Sequence, residues 1–89
     1  MALSQSEKNQ ITNLKISIER VRKEITTLSE RKKSTSERYS NYIKNTNDSN
    51  QKRNYRMSKI REVDSLKQQI ERKKQEITRF KEQIQRIKS

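Results

Sequence analysis

Neither cysteine nor histidine occurs in this chain, so the side chains able to carry charge or move a proton are eleven carboxylates, twenty-three Lys and Arg, and three tyrosines. Acid/base and metal chemistry usually rely on His, Cys or carboxylates that converge in a pocket. Here the carboxylates are strung along the whole chain. Glu19 with Lys23 and Glu82 with Arg86 stand four apart in the favourable order, which predicts solvated pairs on a helix face. A non-enzymatic chain with no cofactor, no metal and no small-molecule substrate is the expectation.

The basic excess is the strongest compositional signal. Residues 1–44 carry ten Lys and Arg against five acids, and residues 45–89 carry thirteen against six, for a net charge of +12 overall. Such a field attracts polyanions through counterion release, which gives salt-sensitive, sequence-independent binding. No zinc finger, no basic region forking from a zipper and no aromatic platform for stacked bases is present. Two partner classes therefore stay open: an acidic protein surface or a second copy, and nucleic acid gripped through its phosphates. A membrane surface is disfavoured, because the apolar stripe is narrow and lacks Trp.

The elements that must position these charges follow from spacing. Only 26% of the 89 residues are apolar and Gly and Pro are absent, which excludes a broad globular core while leaving helices uninterrupted. Ile11, Leu14, Ile18, Val21, Ile25 and Leu28 alternate steps of three and four, the a/d seam of a coiled coil. Lys32, Thr35, Tyr39 and Tyr42 continue that register. Val63, Leu66, Ile70, Ile77, Phe80, Ile84 and Ile87 form a second seam, out of phase with the first, with Lys73 at its one polar position. A lone polar seam residue either fixes register or snorkels to water, and Lys32 and Lys73 are open to both readings.

Between the seams lies Asn45-Thr46-Asn47-Asp48-Ser49-Asn50, six residues whose short polar side chains favour caps and turns. The pattern predicts an all-α, antiparallel coiled-coil hairpin: a helix over about 5–45, a turn over about 46–50 and a second helix over about 51–88. Ser4 with Glu7 has the form of a capping box, Asp48 suits the second N-cap, and Asn45 or Asn47 suits a left-handed helix end. In an antiparallel pair, facing residue numbers share a constant sum. A sum of 98 pairs Ile11 with Ile87, Leu14 with Ile84, Ile18 with Phe80, Val21 with Ile77 and Leu28 with Ile70, whereas a sum of 91 strands Ile11. The alternative is one unbroken helix in a parallel dimer. A lone helix pair is marginal in water, so self-association or docking on a larger protein is expected.

All three tyrosines fall beside the expected turn. Tyr39 and Tyr42 hold seam positions, Ile43, Tyr55 and Ile60 flank the seam, and Met57 lies further round. Tyr is enriched at binding hot spots, so these six residues are the expected partner-binding surface, unless they close the tip over themselves.

Leu28-Ser29-Glu30-Arg31-Lys32-Lys33-Ser34, Tyr42-Ile43-Lys44-Asn45-Thr46-Asn47-Asp48-Ser49, Lys59-Ile60-Arg61-Glu62 and Gln69-Ile70-Glu71-Arg72-Lys73-Lys74-Gln75-Glu76-Ile77 together resemble the N-terminal coiled-coil segments of bacterial TIR-domain effector proteins of anti-phage defence. The resemblance spans roughly residues 11–87. It implies self-assembly or partner recruitment for a toxic effector whose activity resides in another polypeptide. A soluble, cytoplasmic protein is expected, since no apolar run reaches the roughly 20 residues of a membrane span.

Overall fold

A computed structural model describes residues 2–89 as two helices, α1 (Gln5–Lys44) and α2 (Ser49–Lys88), joined by a four-residue connection. The helices pack side by side in a shape 69 Å long and 15 by 12 Å across. An unbroken helix of the same chain would run to about 130 Å at 1.5 Å per residue. The chain is an antiparallel helical hairpin.

Its ends are set by side chains that substitute for missing backbone partners. The Ser4 hydroxyl accepts from the Glu7 amide at 3.1 Å while the Glu7 carboxylate accepts from the Ser4 amide at 3.0 Å, a complete capping box. Those hydrogen bonds to the charged form hold the Glu7 carboxyl below its ordinary value. Asp48 caps α2, its carboxylate accepting from the amides of Asn50 and Gln51. The second helix accordingly begins at Ser49, two residues earlier than spacing alone placed it, because a cap residue is followed at once by helical backbone. The expected left-handed end is not formed. Asn45 closes α1 at φ −93° and ψ 2°, and no described non-glycine residue has positive φ. A connection from Asn45 through Asp48 reverses the chain without one, and Thr46 fastens it by donating to the Gln51 side chain at 2.9 Å.

Contacts between the helices fix the register. Arg38 meets Glu62, Lys59 donates to Ser40, and Lys73 meets Glu24, so that facing numbers total 100, 99 and 97. These agree with pairing about 98 and exclude 91, which would displace every contact by two turns of helix. Ile11, Ile18 and Ile84 form a buried cluster, with Leu14, Ile77, Phe80 and Ile87 packed against it. Leu3 joins them from outside α1, lapping the open end of the hairpin. Val21, Leu28 and Ile70 complete the buried set, and Ile25, Val63 and Leu66 are half-covered.

Burial is not uniform along the arms. Every fully buried residue lies at or before Leu28 in α1, or at or after Ile70 in α2. Between Leu28 and Ile70 the seam holds Lys32, Thr35, Val63 and Leu66, where a polar residue faces an apolar one and neither is sealed from water. Among the described residues, no helix is long and apolar enough to cross a membrane.

Candidate interaction surface

The residues near the turn are brought together, but in an arrangement different from strict heptads. Tyr39, Tyr42 and Tyr55 form one cluster, with ring centroids 5.3 to 6.4 Å apart and the Tyr39–Tyr42 pair edge to face. Arg38 covers the Tyr39 ring from 5.4 Å. The Glu62 carboxylate close to the phenol, together with partial burial, pushes Tyr39 above the usual tyrosine value.

Two positions exchange roles here. Tyr42, expected in the seam, is 43% exposed, while Ile43 and Tyr55, expected at its flanks, are half-buried. Beside Ser36 and Ser58, the half-covered residues run Thr35, Tyr39, Ile43 along α1, with Thr46 following in the connection, and Lys52, Tyr55, Lys59, Val63 along α2, where they span an eleven-residue step of three turns. An α-helix of 3.6 residues per turn drifts by about 20° per heptad against a 3.5 repeat, and an eleven-residue step absorbs that drift. The seam thus moves one position sideways at the tip. Met57 and Ile60, three apart and hence neighbours on one helix face, remain 54% and 61% exposed.

The hairpin has two edges flanking its seam. With Ile11 and Val63 as a positions, the g residues of both arms line one edge. Arg31, Arg38, Glu62 and Gln69 share a groove there, with Thr35 and Leu66 at its base. The Arg38–Glu62 ion pair at 3.7 Å and the Lys73–Glu24 pair at 2.6 Å both belong to it. Lys73 also approaches Glu76 at 3.8 Å and is held above its ordinary value by the Glu24 carboxylate, which Lys73 in turn lowers. Lys73 therefore does not sit unpaired in the seam but reaches the edge, pairing with Glu24 while a third of its side chain stays in water, whereas Lys32 is half-covered and makes no ion pair among the described residues.

The e residues line the other edge, where Lys15, Arg22 and Lys81 share a groove with Ile18 and Ile84. Glu19 pairs there with Arg22, one residue nearer than the Lys23 expected for it, and the expected Glu82–Arg86 pair is not formed. Counting charge by arm hid this division, because the excess differs across the hairpin more than along it. Writing out the e and g positions once the register is known would have exposed it.

The fold and its surfaces define a two-helix coiled-coil hairpin with open grooves and an aromatic tip. Comparison with protein-family models, with curated proteins and with solved structures gives no match.

Proposed function

We propose that the chain is a non-enzymatic assembly module that completes its core by packing its turn-proximal half against further helices, a second copy of itself in the first instance. The observation that carries this is the absence of any fully buried residue between Leu28 and Ile70. That stretch includes Tyr42, Met57 and Ile60, all exposed, beside a tyrosine cluster only half covered. Helices widen their apolar stripe in this way when they meet more than one neighbour. Two hairpins joined at their tip halves would form a local four-helix bundle and remove these side chains from water.

The resemblance to segments ahead of TIR domains supports a role for such assembly in bacterial defence, where gathering hairpins would gather the effectors they serve. Size-exclusion chromatography with light scattering tests the proposal. The wild-type chain should rise above its 10.8 kDa monomer mass as concentration increases. Met57→Ser combined with Ile60→Ser should return it to the monomer with its helical circular dichroism intact. A wild-type chain that stays monomeric at high micromolar concentration overturns self-assembly.

A further inference from the structure

The e-edge carries one sign of charge. In the register of the hairpin, Lys8 faces Lys88, Lys15 faces Lys81, and Arg22 faces Lys74, all of them exposed. Lys67 extends the row opposite Ser29, and no e position of either arm holds an acid. Among the described residues, both ion pairs that cross the hairpin lie on the other edge. On this edge the one carboxylate in contact is Glu19, paired with Arg22 along its own helix. Like charges facing one another across a coiled coil weaken it. Apart from the Glu19 partner of Arg22, no ion pair among the described residues offsets this row of like charges.

Resting on the reading of the chain as an interaction module, we propose that this edge seats an acidic amphipathic helix of another polypeptide, forming a three-helix coil along the arms. The sign of the edge calls for an anion. Its spacing calls for a helix: Lys67, Lys74, Lys81 and Lys88 recur every seven residues, about 10 Å apart along the axis, which matches carboxylates repeated once per heptad. Its apolar contact is narrower: Ile18 and Ile84 beneath Lys15, Arg22 and Lys81 are already buried by the hairpin, and the apolar side chain open to a helix is Ile60, at the same e register and 61% exposed. No aromatic side chain stands in the row to stack a base. A second copy is unsuited, since it offers the same positive edge and a net charge of +12, and its acids outside ion pairs, such as Glu30, Glu37, Glu71 and Glu82, each stand beside Lys or Arg in sequence.

The test uses the full chain and a synthetic four-heptad peptide with Ile and Leu at a and d and Glu at e and g, followed by isothermal titration and circular dichroism. The peptide should bind one to one, gain helicity on binding, and lose affinity as salt is raised. Lys15→Glu with Lys74→Glu and Lys81→Glu should weaken binding at least about tenfold, as expected when three attractions become repulsions. Gln69→Glu with Gln83→Glu on the opposite edge should leave it within about twofold, and circular dichroism confirms that each variant stays helical. Equal loss from both edges overturns the proposal, as does tighter binding of a DNA duplex at the same salt, or equal binding of unpatterned poly-glutamate. A hairpin that self-associates but ignores the peptide overturns this inference and leaves the assembly reading standing. One that takes the peptide yet stays monomeric alone sustains the inference and removes self-assembly.

Discussion

The Lys73 ammonium lies 2.6 Å from a carboxylate oxygen of Glu24 on the opposite helix, at the layer where the seam would otherwise set a lone cation against Ile25. Both side chains keep over a third or close to a third of their surface in water, 39% for Glu24 and 33% for Lys73, so solvent screens their attraction. The pair is better understood as a register marker. A one-heptad slip would set Lys73 against Ile18 in one direction or Lys32 in the other, in either case without its carboxylate.

This pair, with the Glu7 capping box, sets a pH dependence. Glu24 and Glu7 both titrate below the ordinary 4.5 in the fold, so the stability they supply is present above that value and is lost as pH falls through their lower folded values. Lys73 titrates above 10.5, so its contribution is full below that value and is lost as pH rises past its higher folded value. Thermal melts followed by circular dichroism should show a plateau between these limits and a fall on each side. Glu7→Gln with Glu24→Gln should lower the melting temperature at neutral pH and flatten the acid limb. An acid limb of unchanged steepness in that variant would show that general charge repulsion, not these two groups, governs it.

Ile16 and Ile18 stand two residues apart and are chemically identical, yet one is 62% exposed and the other is buried in the Ile11–Ile84 cluster. Ile18→Ala should cost roughly 2–5 kcal/mol through lost transfer energy and an incompletely filled site. Ile16→Ala should fall within about 0.5 kcal/mol of the wild type. Urea unfolding of the two variants measures both. Comparable losses would mean that Ile16 is covered in solution, as an additional neighbour on the outer face of α1 would cause.

Much of this was legible in the residues. A seam that alternates three and four, a run of cap-forming residues where its phase breaks, and a Ser-x-x-Glu start are local signals, and local sterics and hydrogen bonding are sufficient to realise them. The tip was less legible because heptads are a convention the α-helix does not keep. Tyr42 and Ile43 are adjacent, and a drift of one position decides which of them faces the partner helix. The Glu24–Lys73 pair was hidden for another reason. It joins a flanking residue to a seam residue, a contact that exists only after two helices are set side by side.

The turn offers a prediction about backbone chemistry. Asp48 satisfies two amides at the start of α2, so Asp48→Ala should cost about 1 kcal/mol, the usual loss on removing a side-chain N-cap. Asn45, by contrast, ends α1 with negative φ. Asn45→Gly should therefore give no gain, because glycine stabilises a helix end only where the backbone turns left-handed and otherwise adds freedom to the unfolded chain. A clear rise in melting temperature for Asn45→Gly would indicate that the connection adopts a left-handed end in solution.

The one-signed edge leads to a trade between stability and binding. Lys15→Glu places a carboxylate opposite Lys81, in the same groove, and converts a facing repulsion into an attraction. The single variant should melt a few degrees higher than the wild type at low salt, with the gain shrinking as ionic strength shortens the reach of exposed charges. Lys81→Glu should do the same from the other arm. Installing both at once should cancel the gain, since two glutamates then face each other where two lysines stood. That double-variant pattern separates a true cross-helix interaction from a change in helix propensity, which would add rather than cancel. If the two gains simply sum, Lys15 and Lys81 do not face each other closely enough to interact, and the repulsion attributed to this edge is absent.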